Sequence, residues 1–176
     1  PTGAVAGFCN MLFKLLEDAK SKENKEKPTH LVVIFDSARK NFRNDIYEDY
    51  KANRSDAPDD LIPQFEYILK SVEAFNIPAV EMINYEADDL IATYSKQITK
   101  LGSDVTIVSS DKDLMQLHDK KVRIYDPMKN KVIKKEDVIA KFGVTSDKVI
   151  DVQSLAGDSS DNVPGVPGIG VKTAAE

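Results

Sequence analysis

The sequence predicts an α/β fold with a mostly parallel central sheet flanked by helices. Apolar runs rich in β-branched residues occur at 30–36, 77–82 and 104–111. Between them lie segments whose apolar residues recur at helical spacing. This alternation is typical of parallel sheets, because a helix usually crosses over between two parallel neighbours. The 176 residues are enough for one domain with a substantial core.

The first part of the chain is predicted to contain a helix, a loop and a strand. An amphipathic helix is expected over 4–20, with Cys9 as a small core residue on its apolar side. The run 20–28 is read as a solvated charged loop. The run 30–36 is almost continuously apolar and ends in Asp36, which is typical of a buried parallel strand.

The segment 37–58 is polar, basic and poorly periodic, which favours a functional loop or lid over a packed element. A second helix is predicted to begin at Pro58, with Asp59 and Asp60 in its first turn. Its apolar face is expected to contain Leu61, Phe65, Ile68, Leu69, Val72 and Phe75.

The remaining elements alternate in the same way. A weak strand over 77–82 precedes a helix over 87–101, which Gly102 ends, and 104–111 predicts a strongly buried strand. Short strands at 122–126 and 131–133, helices at 135–142 and 146–156, and a last helix near Val171 complete the prediction. We therefore predict an α/β core over 1–134, which includes the segment 37–58, and a helical region over 135–176.

The composition limits the kinds of site that the chain can hold. Cys9, His30 and His118 are its only cysteine and histidines, so no thiolate or imidazole cluster can bind zinc or haem. Any metal must be hard and bound by oxygen. A single cysteine indicates a reducing compartment, and no signal peptide or membrane-spanning run is present, so we expect a cytoplasmic protein and no membrane partner.

Acidic residues follow three of the predicted strands. Asp36 ends the first strand, the run 86–89 follows the second, and Asp111 and Asp113 end the third. Each alone is explained by helix capping or a surface turn. Together, at the edge where parallel strands end, they would raise one another's pKa unless cations intervene.

Clustered carboxylates without histidines suit Mg²⁺ or Mn²⁺. Two such ions, ~4 Å apart, can activate water and hold the leaving oxygen of a phosphodiester. Metal-dependent phosphodiester hydrolysis is therefore the leading hypothesis from the residues alone. Phosphohydrolysis with Asp36 as nucleophile is disfavoured, because that chemistry usually needs a second Asp two positions later and residue 38 is Ala.

The segment 39–54 carries five basic residues together with Tyr47 and Tyr50. Cations for phosphates thus accompany flat rings for bases. A solvated helix face, balanced by Glu48 and Asp49, explains the same pattern equally well. The formal net charge of −5 does not decide the matter, since the chain is mildly basic once the acids of the candidate metal site are set aside.

The glycine-rich run 165–173 resembles a phosphate-binding P-loop but departs from it twice. Val171 stands between the last glycine and Lys172, and no strand precedes the run. A glycine hairpin between two helices fits better, with the N–H groups of Gly168 and Gly170 free to approach a phosphate.

Four stretches carry a family resemblance: FDSARKNFRNDIYEDYKANR, YEADDLIA, VSSDKDLMQL and LAGDSSDNVPGVPGIGVKTA. In this order they closely resemble the 5′-nuclease domain of bacterial DNA polymerase I, which is similar to phage and eukaryotic flap endonucleases. The resemblance covers essentially the whole chain. It implies a PIN-like 5′-nuclease fold with a helical arch at 37–58 and a C-terminal helix-hairpin-helix.

The resemblance also implies roles for individual residues. Two Mg²⁺ or Mn²⁺ ions would be bound by a first cluster of acids, Asp36, Glu86, Asp88 and Asp89, and by a second, Asp111, Asp113, Asp158 and Asp161. Tyr50, Lys51 and Arg54 match the catalytic and DNA-binding base of the arch, and Arg43 matches another basic arch position. The hairpin that grips duplex phosphates, together with K⁺, would use Gly165, Gly168, Gly170 and Lys172.

The implied function is two-metal hydrolysis of 5′-flap or nicked DNA, as in primer removal and repair. A monomer in the bacterial cytoplasm, associated with the nucleoid and linked to a polymerase domain, is implied as well. Family members begin with a strand that bears a metal-binding acid, and this chain starts after it, so we expect an excerpt cut at both ends. The alternative is a non-catalytic fragment that binds DNA through the arch and the hairpin.

Overall fold

The N-terminal part of the molecule packs two helices against a pair of short parallel strands. The computed structural model describes residues 1–20 and 27–176, so the predicted charged loop at 20–28 lies mostly outside the described residues. The elements of this part are α1 (Gly3–Lys20), β1 (Val33–Ile34), α2 (Phe42–Ile46), α3 (Ile62–Ala74) and β2 (Ala79–Val80). Leu12, Val72 and Ile77 form its buried core, and β1 pairs with β2 in parallel.

The C-terminal part is built on a second sheet with a larger core. Its elements are α4 (Ala87–Lys100), β3 (Val105–Val108), β4 (Val122–Asp126), β5 (Lys131–Ile133), α5 (Lys135–Phe142), α6 (Val149–Ala156) and α7 (Val171–Ala175). A 3₁₀ helix at Asp113–Leu117 connects β3 to β4, and a second one at Ser146–Lys148 leads into α6. Strand β4 lies between β3, to which it is parallel, and β5, to which it is antiparallel.

The predicted α/β class and the mostly parallel pairing are confirmed. The described strands form two sheets, β1–β2 and β3–β4–β5, rather than one continuous central sheet. Each long apolar run contributes fewer strand residues than predicted. Only Val33–Ile34 of 30–36 and Val105–Val108 of 104–111 are strand, and neither is fully buried, since β1 has one pairing neighbour and Ile107 alone is buried in β3.

Helix α3 begins later than predicted. The N–H groups of Leu61 and Ile62 both donate to the Pro58 carbonyl, which closes a turn before the helix starts. Asp59 and Asp60 therefore lie in this turn and not in the first helical turn. Phe65, expected on the buried face, is 53% exposed, and Cys9 on α1 is only partly buried.

Helix α4 is held at both ends by local structure. At its start the Asp89 carboxylate accepts from the Glu86 N–H at 3.0 Å, and the helix ends before Gly102, whose φ of 94° few other residues adopt. Buried Leu90 and half-buried Ile91 anchor it against the protein. The acidic first turn is thus fixed relative to the ends of the strands. None of the described helices is both long enough and apolar enough to span a membrane.

Candidate active site

Acids from three separate segments converge at the start of α4. The Asp36 Oδ1 accepts from the Ala87 N–H at 2.6 Å, which ties the end of β1 to the first turn of α4. Asp88 is largely buried, and this burial, followed by the charges of Asp111 and Glu86, raises its pKa to about 7. In the described parts of the chain its carboxylate has no ion-pair partner. The structure therefore brings Asp36, Glu86, Asp88 and Asp111 together, as the sequence predicts.

A cavity of about 390 Å³ connects this cluster with the second set of predicted acids. Its walls come from α4, the 3₁₀ helix after β3, α6 and the loop that follows α6. Six carboxylates line it together with Arg43 and Tyr50: Glu86, Asp88, Asp89, Asp113, Asp158 and Asp161. Members of both predicted clusters thus line one cavity, whereas Asp36 and Asp111 are not among its lining residues.

Glu86 is a buried acid that accepts hydrogen bonds from three side chains of the segment 37–58. Only 8% exposed, it accepts from Lys51 Nζ at 2.6 Å, Asn41 Nδ2 at 2.9 Å and the Tyr50 hydroxyl at 3.0 Å. Burial, followed by the charges of Glu86 and Asp161, raises the pKa of Tyr50, so its hydroxyl stays protonated and donates.

Asn41 is a site residue that the sequence prediction missed. It is 4% exposed, and its Oδ1 accepts from the Arg43 N–H while its Nδ2 donates to Glu86. It is therefore both the N-cap of α2 and a support for Glu86. An Asn directly before a short amphipathic run is a capping signal that could have identified it.

Asp89 is accounted for by protein contacts alone. Arg43 donates to both of its oxygens, at 2.7 and 2.8 Å, and one of these oxygens also accepts from the Glu86 N–H. The Arg43 hydrogen bonds hold the pKa of Asp89 below its usual value. Both oxygens of Asp89 are thus engaged within the free protein, and the metal-binding role that the resemblance implies for it stays a prediction.

The acids of the second cluster have basic or amide partners. Burial would raise the pKa of Asp158, but hydrogen bonds from Lys112 and Ser160 hold it below the usual value. Asp161 accepts from Arg54 and, at 3.2 Å, from the Tyr50 hydroxyl. Burial raises the pKa of Asp113, to which Gln153 Nε2 donates at 2.6 Å. Lys112 and Gln153 are further site residues that the sequence prediction did not assign.

Apart from the short helix α2, the segment 37–58 is irregular and largely exposed, but it is tied by hydrogen bonds to the loop after α6. Its residue Lys51 adopts a left-handed conformation, with φ 58°, and its N–H donates to the Asp161 carbonyl at 2.9 Å. Asn53 donates to the Ser159 carbonyl and Asn162 to the Asp49 carbonyl, both at 2.8 Å. These contacts with the loop after α6 direct the Lys51 and Arg54 side chains onto the acids.

The glycines between α6 and α7 differ in what they do. A Cβ on Gly165 would lie 2.3 Å from the Ala156 carbonyl carbon, so this glycine permits close backbone packing. Gly168 has a φ of 80°, and a Cβ there or on Gly170 would meet nothing within 4 Å. The surface at Gly168 and Gly170 is therefore open, and Lys172 beside it is exposed.

The donor set fits a hard divalent cation by its chemistry. Within 1–20 and 27–176, no three carboxylate, imidazole or thiolate groups are arranged closely enough to hold a metal ion. Lys51, Arg54 and Lys112 lie among the acids instead. The available ligands are all oxygens, and Asp88, whose pKa is raised first by burial and then by its acidic neighbours, carries a charge that a cation would stabilise.

A second cavity, of about 750 Å³, lies on the far side of the 3₁₀ helix after β3. Lys96, His118 and Lys120 are among its lining residues, and none of the predicted site residues is. The smaller acidic cavity is the better candidate for an active site, because it gathers most of the acids that the sequence singles out together with Arg43 and Tyr50.

The sequence matches two family models and part of several known proteins. Residues 1–143 match a family model described as the N-terminal resolvase-like domain of 5′-3′ exonucleases, and residues 144–176 match its C-terminal SAM fold. The chain is 58% identical over its whole length to part of DNA polymerase I from Rhizobium leguminosarum, covering 17% of that protein. It is 45% identical over 99% of its length to a 5′-3′ exonuclease from Aquifex aeolicus, covering 58%.

Solved structures with a similar fold include two further proteins. T5 5′-exonuclease with bound zinc superimposes with a TM-score of 0.77 at 24% identity, over 97% of this chain and 64% of that one. The catalytic core of Rad2 in complex with DNA substrate superimposes with a TM-score of 0.59 at 18% identity, over 97% and 50%. These likenesses confirm the predicted fold.

Proposed function

The chain belongs to the 5′-3′ exonuclease family, and on that basis we propose that it is the catalytic part of a structure-specific 5′ nuclease. It hydrolyses phosphodiester bonds in 5′-flap or nicked DNA with two divalent metal ions. The observation that carries this proposal is the single cavity where acids from three segments meet the cations of 37–58.

The converging acids are the proposed metal ligands, and in the free protein Glu86, Asp158 and Asp161 are paired with basic side chains that a metal would replace. Asp36, Glu86 and Asp88 would hold one side of the metal pair, and Asp111, Asp113, Asp158 and Asp161 the other. When bound, Mg²⁺ or Mn²⁺ supplies an activated water and neutralises charge on the phosphate. A bound cation would stabilise Asp88 most, because the negative charge of Asp88 is disfavoured by its burial and by its acidic neighbours.

Lys51 and Arg54 act on the substrate by exchanging their carboxylate partners for oxygens of the scissile phosphate. In the free protein Lys51 is paired with Glu86 and Arg54 with Asp161. With metal on the acids, both cations become available to the oxygens of the scissile phosphate and stabilise the charge that develops there. Tyr50, between Glu86 and Asp161, offers its hydroxyl and ring to the same nucleotide. The existing ion pairs keep these groups in place until substrate arrives.

The hairpin is proposed to hold the duplex. No described backbone carbonyl accepts from the Gly168 or Gly170 N–H, so both can donate to phosphates, with K⁺ on nearby carbonyls and Lys172 as a further cation. The chain spans 17% and 58% of the two relatives compared above. We propose that, as in the Rhizobium relative, a DNA polymerase follows in the full-length protein, which works as a monomer on nucleoid DNA.

The test is cleavage of a labelled 5′-flap duplex with and without Mg²⁺. Cleavage should require the metal and be lost in Asp88→Asn and Asp111→Asn. Asp151→Asn, which changes an exposed carboxylate on α6, should cut normally. Normal cleavage by both site variants would overturn the two-metal assignment.

The second candidate function is DNA binding without catalysis. It is favoured by the ion pairs that occupy the acids and by the absence, in the described part of the chain, of a ready-made metal trio. Flap binding by the wild-type protein with no cleavage at any Mg²⁺ concentration would select this function.

A further inference from the structure

Four side chains beside the acidic cavity form a continuous stack of rings and a cation, here called the aromatic ladder: Tyr85, Phe42, Arg43 and Tyr50. The Tyr85 and Phe42 rings are 5.7 Å apart at an angle of 53°. The Arg43 guanidinium carbon lies 4.6 Å from the Phe42 ring centre and 6.0 Å from that of Tyr50. Lys51 Nζ, 5.0 Å from the Tyr50 ring, ends the stack inside the site. The ladder therefore leads from the surface to the catalytic cations.

The ladder is fixed to the elements that position the acids. Arg43 is held by its two hydrogen bonds to Asp89, in the first turn of α4. The Phe42 N–H donates to the Asn84 carbonyl at 3.3 Å, directly before Tyr85 and Glu86. Any group that stacks on Tyr85 would consequently sit at a defined distance from the metal-binding acids.

The outer end of the ladder is unusually open. Tyr85 is 45% exposed, and no residue in the described parts of the chain hydrogen-bonds its hydroxyl. Met82 and Ile83 in the same loop are also exposed, which makes an apolar surface rimmed by charge. Such surfaces on a single chain commonly mark interaction sites.

The charges around Tyr85 decide what part of a ligand it would take. Glu86 is the next residue, and Asp36 and Asp88 lie in the same cluster, so in the metal-free protein a phosphate at this ring would be repelled. Arg43 and Lys51 attract phosphates further along the ladder. A nucleotide therefore fits with its uncharged base at the outer end and its backbone directed inward.

We propose that Tyr85 forms a base-binding subsite that stacks one unpaired nucleobase of single-stranded DNA adjoining the cleavage site. This subsite rests on the proposed nuclease function and adds to it a residue that recognises the unpaired strand. Aromatic stacking of this kind accepts any base, because every base has a π face. The subsite thus distinguishes unpaired from paired nucleotides without reading the sequence.

The experiment places a single 2-aminopurine in the unpaired strand of a 5′-flap duplex and follows its fluorescence and the dissociation constant. Binding is measured in Ca²⁺, a hard oxygen-bound cation, and again without divalent metal. Stacking should quench the fluorescence with the wild-type protein and with Tyr85→Phe. Tyr85→Leu should abolish the quenching and weaken binding about tenfold, as expected for one lost base stack. Tyr67→Leu, at an exposed tyrosine on α3, is the matched control and should resemble wild type.

An abasic nucleotide moved along the unpaired strand then tests the stack itself. At one position the abasic site should weaken wild-type binding and erase the difference between wild type and Tyr85→Leu. An effect of Tyr85→Leu that persists at every abasic position would overturn the subsite and leave Tyr85 a packing residue for Phe42. Stacking without any Mg²⁺-dependent cleavage would retain the subsite and refute the nuclease proposal. Failure of the wild-type protein to bind the flap would refute both.

Discussion

Asp126 and Asp88 are both carboxylates withdrawn from solvent near the ends of strands, yet their surroundings differ completely. Asp126, 2% exposed at the end of β4, accepts from the Ser110 hydroxyl at 2.6 Å and from the Met128 and Lys129 N–H groups at 3.0 and 3.2 Å. The Ser110 hydrogen bond, with help from Lys129 and against the effect of burial, holds its pKa at about 2. Burial and acidic neighbours raise the pKa of Asp88 to about 7.

The difference teaches that burial alone does not mark a functional acid. Asp126 stabilises the turn between β4 and β5 because the protein satisfies its charge from within. Asp88 lies in a cavity where the protein adds further negative charge. A buried charge that the fold leaves unbalanced is costly, and such groups cluster at functional sites.

The largest expected effect is a contrast between two substitutions. Substitution of Asp88 should impair cleavage but not stability, and substitution of Asp126 should impair stability but not cleavage. Asp88→Asn should reduce flap cleavage at least about a hundredfold and leave the melting temperature unchanged or higher, because it removes a repelled charge. Asp126→Asn should lower the melting temperature by about 3 °C and leave cleavage near wild type. Cleavage assays and thermal unfolding of both variants measure this. Equal destabilisation by the two substitutions would show that Asp88 is a structural acid like Asp126.

Substitution of Lys51 should have the next largest effect, and it should change the cleavage rate more than the affinity for DNA. Lys51→Ala removes a cation that we place on the reacting phosphate, so the rate should fall about a hundredfold while duplex affinity changes less than about threefold. Single-turnover cleavage and binding of the same flap substrate separate the two quantities.

Lys70→Ala is the matched control for Lys51→Ala, since Lys70 forms an exposed pair with Glu66 on α3. It should change neither the rate nor the affinity. Similar losses in rate and affinity for Lys51→Ala would make Lys51 a phosphate anchor without a role in the chemical step.

Much of the site could be predicted because its acids follow strands in a recognisable pattern. The acids at 86–89 and 111–113 mark the site without any structure, since the ends of parallel strands meet at one edge. Asn41, Lys112 and Gln153 were missed because their importance depends on contacts between distant segments. Asp126 was not singled out either, since a lone acid before a turn resembles any other.

The strand lengths were overestimated for a related reason. An apolar run shows that a segment avoids water but does not show how many of its residues pair. Leu31 and Val32 belong to the same run as β1 but are more than a third exposed. The number of residues that pair depends on the neighbouring strands, and these are defined only in the assembled sheet.

Substitution of Asn41 should have a moderate effect on both stability and cleavage, because Asn41 caps α2 and also contacts Glu86 in the site. Asn41→Ala removes the α2 cap, at a cost of about 1 kcal/mol, and one of the donors to Glu86. We expect a lower melting temperature and about tenfold slower cleavage. Asn44→Ala, which loses a cap contact of α2 and a hydrogen bond to the Tyr50 carbonyl but no contact with Glu86, is the comparison variant and should slow cleavage less than Asn41→Ala. Equal slowing by both variants would mean that α2, rather than the Glu86 contact, matters for cleavage.

The smallest expected effect is a pH dependence of the stability that Asp126 contributes. Its pKa is about 2 in the folded protein and about 4 in an unfolded chain, so the folded state binds the proton less readily. Its stabilising contribution is therefore complete above pH ~4 and disappears as the pH falls towards ~2. Melting temperatures of wild type and Asp126→Asn should differ by a constant amount above pH ~4.5 and converge at lower pH. Other acids with lowered pKa values titrate in both proteins, so their contributions cancel in this difference. A gap that stays constant down to pH ~2 would mean that Asp126 stabilises the turn by its shape and not by its charge.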